Sequence, residues 1–158
     1  MSAAPGPMVR RLAWILALAG ALPFAAAAVA LLAADSHVRV PAIAGLVTYA
    51  AVILSFLGGI EWGLAINDAY VGTPAEGKDR LRAIAMAWSV VPSLAGWGVL
   101  WLPSPQWQLG AALAVFVLVW AGDLTLARQG LVPSWFVNLR TAATVLVAGL
   151  LGLALYLL

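Results

Sequence analysis

The chain has no cysteine and a single histidine, His37. The first absence excludes disulfides, iron–sulfur clusters and thiol catalysis; the second leaves no histidine constellation for zinc or for paired haem ligation. Charge is scarce too, at 9% of 158 residues with a formal net charge of +2. The few basic residues sit between apolar runs and form no patch with interleaved aromatics, which argues against a nucleic-acid partner. What remains is 65% hydrophobic, with eight tryptophans and a mean hydropathy of +1.03. A soluble domain of this length has no interior large enough for that much apolar surface, so the expected environment is a lipid bilayer.

Apolar periodicity and punctuation predict an all-α, integral membrane bundle of five transmembrane helices within one domain, 1–158. The spans are 12–34, 41–67, 80–102, 105–128 and 134–158. The first is read as a retained helix rather than a signal peptide, because its apolar run exceeds the usual ~7 to 15 residues. Pro23 should kink it, and Pro92 should kink the third span. Pro41 suits the first turn of the second helix, Asp79 can cap the third, and Ser104 followed by Pro105 opens the fourth. The substantial loop, 68–79, carries Gly72, Thr73, Pro74 and Gly77.

Arg10, Arg11, Lys78, Arg80, Arg82 and Arg128 fall on one side of this topology and only Arg39 on the other. The positive-inside rule then gives a cytoplasmic N-terminus and a periplasmic C-terminus in a bacterial inner membrane.

The second span contains Ser55-Phe56-Leu57-Gly58-Gly59-Ile60-Glu61-Trp62-Gly63, an acid and three glycines inside an apolar run. An ionisable group near a helix centre costs roughly 2.5 to 3.5 kcal/mol, so Glu61 must be protonated, paired or turned to a wet cavity. Gly59 and Gly63, flanked by Ser55, stack on one face as a GxxxG pair. Glu61, with Gly58 a turn below it, looks the other way. Close packing within the chain is the plainer use of the glycine pair, and a dimerisation face the sharper one.

Two more charges lie inside spans. Glu61 is six residues before Asn67, Asp123 five before Arg128 and Arg140 six after Ser134. At ~1.5 Å per residue all three lie about 8 to 9 Å below the cytoplasmic boundary. Two acids and one guanidinium at one level are expected to form an intramembrane layer, with Arg82, a proton on Glu61 or a bound cation cancelling the excess charge. A structural lock is the plainer reading and coupled transport the sharper. Near the second kink, Trp88, Ser89, Pro92 and Ser93 supply polar lining, and backbone repair is the expected use of the serines.

Four segments of this layout carry a resemblance: Leu18–Phe24 with Gly20 and Pro23, Ser55–Gly63, Trp88–Ser93 and Pro133–Arg140. The chain resembles the uncharacterised family of small multi-pass membrane proteins, a domain of unknown function, that includes mitochondrial transmembrane protein sixty-nine. The resemblance implies a bacterial inner-membrane or mitochondrial location, no assigned activity, and often His in place of Glu61. It carries over no catalytic residues. No base accompanies a membrane serine, so catalysis is not expected; no cofactor or metal is implied. The expected role is a subunit or assembly partner of a membrane complex, with a membrane-protein partner or a homo-oligomer in the lipid. The alternative is a small ion-coupled transporter or small-molecule-binding protein using the same charged layer.

Overall fold

The computed structural model describes residues 5–32, 35–66, 79–129 and 132–158. The expected ends of the first two spans at Ala34 and Asn67, the 68–78 loop with Lys78, and Gly130 lie outside the described residues. Every element among those described is a helix: α1 (Pro7–Ala19), α2 (Leu22–Leu31), α3 (Ser36–Ile66), α4 (Asp79–Ser89), α5 (Val91–Val99), α6 (Pro105–Arg128) and α7 (Ser134–Tyr156). Among the described residues four stretches are long and apolar enough to cross a membrane: 7–31, α3, α6 and α7.

The α1–α2 and α4–α5 junctions follow one rule. Each interruption falls ahead of its proline: α2 restarts at Leu22 with Pro23 next, and α5 restarts at Val91 with Pro92 next. A proline has no N–H to give and its ring crowds the turn before it. The preceding residues therefore tighten, and Ala21 N–H bonds the Leu18 carbonyl instead of continuing the α-helical ladder. The expected kinks are thus full breaks that precede the prolines. The first helix also starts earlier than expected, with Pro7 in its first turn.

Helix α3 begins at Ser36 rather than Pro41, because Asp35 accepts from His37 N–H through Oδ1 at 2.8 Å and from Val38 and Arg39 N–H through its carbonyl. That capping outweighs the preference of Pro41 for a first turn, and Pro41 sits inside the helix. Asp79 likewise lies within the first turn of α4. Where the cap was correctly identified, the boundaries coincide with the expectation: Ser104 Oγ accepts from Trp107 N–H, Pro105 opens α6, and α6 ends at Arg128.

At 31 residues α3 is about 46 Å long. Helices α2, α4, α5 and α6 all pack on it, which makes it the central element. Helix α7 lies against α6 and α2, while α1 buries no residue and leans on α7 alone at more than marginal contact. One core holds Phe24, Leu54, Leu109, Phe116, Val119 and Leu151, with the Phe24 ring edge-on to Tyr49 and Phe116 at 5.1 and 6.0 Å. A smaller cluster joins Ala65, Ala85 and Val132 at the other end.

Candidate functional site

The structure brings together Glu61 from α3, Asp123 from α6 and Arg140 from α7, at 3%, 2% and 8% exposure. Arg140 Nε donates to Asp123 Oδ2 at 2.7 Å, a charge-assisted bond sealed from solvent. The charges acting on Glu61 are those of Asp123 and Arg140, yet neither carboxyl oxygen of Glu61 has a hydrogen-bond donor among the described residues. The layer is therefore an Asp123–Arg140 ion pair with the Glu61 carboxyl turned to Asp123. Arg82, the candidate fourth member, lies at the start of α4 against Ala65, Ile66 and Met86, beyond Glu61 along α3. No cluster of metal-ligating side chains occurs among the described residues.

The layer is held by close backbone approaches on the Glu61 side of α3. A Cβ on Gly58 would run into the carbonyl oxygen of Ser89 and come within 3.2 Å of Ser93 Oγ. Gly58 is thus the point where α3 meets the α4–α5 break. Farther along, a Cβ on Gly96 would come 3.1 Å from the Ala51 carbonyl oxygen, so α5 and α3 stay close there too. On α6, a Cβ on Gly122 would lie 2.7 Å from Trp88 Nε1, so the indole packs beside the residue preceding Asp123. Ser89 Oγ donates to the Met86 carbonyl at 2.6 Å, a back-bond within the last turn of α4 rather than a repair of the Trp88 carbonyl, four residues before Pro92.

The other face of α3 differs from the expectation of packing within the chain. Ser55, Gly59 and Gly63 are exposed, and an added Cβ on either glycine would meet nothing within 4 Å. The exposed stripe continues through Ala44, Gly45 and Thr48. Gly58 does the packing that the GxxxG pair was expected to do.

Several polar ties carry no obvious sequence signal. Trp120 Nε1 donates to Thr141 Oγ1 at 3.0 Å, joining α6 to α7 beside the charged pair. Arg39 Nη2 donates to the Leu157 carbonyl at 2.6 Å, placing a cation at the C-terminal end of α7 where the helix dipole favours it. Tyr49 Oη donates to the Gly20 carbonyl at 3.0 Å, pinning the α1–α2 break to α3.

The comparisons with known proteins agree with this architecture without assigning a reaction. Residues 9–156 match the family described as "Protein of unknown function (DUF3429)". The chain is 36% identical over 130 residues to Transmembrane protein 69 of Xenopus tropicalis, covering 82% of this chain and 48% of that protein. It thus spans about half the length of the curated relative it matches. No solved structure matches. On a match that runs almost end to end, the chain belongs to the DUF3429 family, an uncharacterised family of membrane proteins that includes Transmembrane protein 69.

Proposed function

We propose that the protein is a subunit or assembly partner of a larger complex in the bacterial inner membrane. The observation that carries this reading is the outward face of α3, where Ser55, Gly59 and Gly63 form an open stripe at four-residue spacing. Glycine in a helix interior is about 1 kcal/mol less favourable than alanine, and lipid chains gain nothing from the missing side chain. A second helix does gain, because its backbone can then approach closely. Val52, Trp62 and Ile66 stand exposed beside the stripe and supply the apolar contacts for such a neighbour. The occupant in this reading is a membrane helix of another protein.

The charged layer supports the same role as an internal lock. Coupled transport would need a polar path to both sides. Beyond the layer the described interior is apolar apart from Ser89 and Thr144, with Phe24, Leu54, Leu109, Leu151 and Ala154 filling it. No catalytic activity is part of the proposal: the Ser89 hydroxyl is spent on the Met86 carbonyl, and His37 lies at the exposed start of α3.

In this reading α4 and α5 together form a fifth crossing, the basic loops place the N-terminus in the cytoplasm, and the C-terminus is periplasmic. Native mass spectrometry of the protein released gently from its own membrane tests the role. A stoichiometric, different protein is expected; a lone monomer or a homo-oligomer contradicts it.

A further inference from the structure

Between the α1–α2 break and α7 lies a cavity of about 130 Å³. Its walls are Gly20, Phe24, Ile60, Phe116 and Phe136, and its polar end is made by Arg140 and Thr144. This volume is close to that of the dry apolar cavities that accept a benzene-sized ring.

Two features distinguish it from a packing defect. Thr144 is 6% exposed, and its Oγ1 has no hydrogen-bond partner. A helical threonine normally bonds the carbonyl one turn back, as Thr125 does to Ala121 at 2.9 Å, so this hydroxyl stands unused inside an apolar wall. One turn away, Arg140 has a protein acceptor for Nε alone among the described residues. The cavity therefore presents the unused Thr144 hydroxyl and the Arg140 guanidinium at one end of an otherwise apolar wall. Its rim includes Leu16 of α1 and Phe56 of α3, 61% and 62% exposed, so it opens sideways between those helices toward the lipid.

We infer that this cleft binds a neutral, membrane-soluble ring carbonyl of the quinone class. The carbonyl oxygen accepts from Thr144 and the free edge of Arg140, the ring lies among Phe24, Phe116 and Phe136, and a tail leaves past Leu16 and Phe56. Charge decides between this and a fatty acid or a phospholipid head. The neighbouring layer already sets two acids against one guanidinium, so an anionic head would add a further negative charge, whereas a carbonyl adds none. The inference does not depend on a protein partner.

The test uses the full chain in nanodiscs and a benzoquinone carrying a ten-carbon tail, with binding measured by equilibrium dialysis. One quinone per chain is expected. Thr144→Val, which keeps the side-chain shape, should weaken binding about fivefold to tenfold, the loss of one hydrogen bond, with an unchanged unfolding temperature. Ala143→Leu fills the cavity without touching either donor and should abolish binding. Decylbenzene, which has the ring and tail but no carbonyl, should bind more weakly, and decanoate should not compete. The proposal is overturned if decylbenzene binds as tightly, if decanoate displaces the quinone, or if either variant binds as the wild type does.

Discussion

Gly58 and Gly59 are neighbours in the chain, yet the first is sealed against the Ser89 carbonyl while a Cβ added to the second would meet nothing within 4 Å. The two sides of α3 continue that contrast. The inner side holds Leu54, Leu57, Gly58, Glu61 and Ala65, and the outer side Ser55, Phe56, Gly59, Trp62 and Gly63. A glycine motif in a membrane helix therefore has no single meaning. On the inner side, glycine is required by a backbone already present. On the outer side, in the proposed reading, it leaves room for a backbone the chain does not supply.

Substitutions on the inner side should have the largest effects, beginning with the ion pair that closes it. Asp123→Asn or Arg140→Gln strands one member of a buried pair, and each should lower stability by about 3 to 5 kcal/mol. The double variant should fall well short of the sum of the two, as measured by steric-trap unfolding in bicelles. Additive losses would break the pairing. Next comes Gly58→Ala, whose methyl group meets a carbonyl rather than a flexible side chain and should cost about 1 to 3 kcal/mol in the same assay. Gly122→Ala should cost less, because the Trp88 ring it meets can shift.

Glu61→Gln sharpens the contrast from within the inner side. Its carboxyl faces Asp123 and accepts from no N–H, and a glutamine amide can still donate to Asp123, so the replacement should change stability by less than about 1 kcal/mol. A large loss would mean that Glu61 belongs to the lock as fully as Asp123. The smallest effect on folding belongs to the outer side. Gly59→Ala should be neutral or stabilising by up to about 1 kcal/mol through helix propensity, and Gly59→Leu should spare the fold while releasing the proposed partner. Co-purified partner mass, read beside unfolding, separates these two results.

Much of this architecture was legible because it depends on local chemistry. Ser104 and Pro105 mark the start of α6 in the sequence as they do in space, and residue counting from the helix ends puts Glu61, Asp123 and Arg140 at one depth, the level at which Asp123 and Arg140 pair. The start of α3 departs from the Pro41 signal because Asp35 caps the chain earlier, and an acid followed by serine is itself a capping signal. Helical spacing separated Gly58 from Gly59 but not inside from outside, since that depends on which neighbours pack against α3. Thr144 was missed for a related reason. Its place four residues after Arg140 was readable, but an unused hydroxyl shows only when the surrounding helices leave a cavity.

The central claim, that the outer side of α3 receives a helix of another protein, is tested most directly by site-specific crosslinking in the native membrane. Because the chain has no cysteine, Ser55→Cys gives a unique attachment point for a photoreactive maleimide on that face. Val145→Cys, 66% exposed on α7, gives the same chemistry away from it. The account predicts one crosslinked species of defined mass at near-stoichiometric yield from Ser55→Cys and only lipid adducts from Val145→Cys. Equal yields from the two positions, or a product made only of this chain, would contradict it.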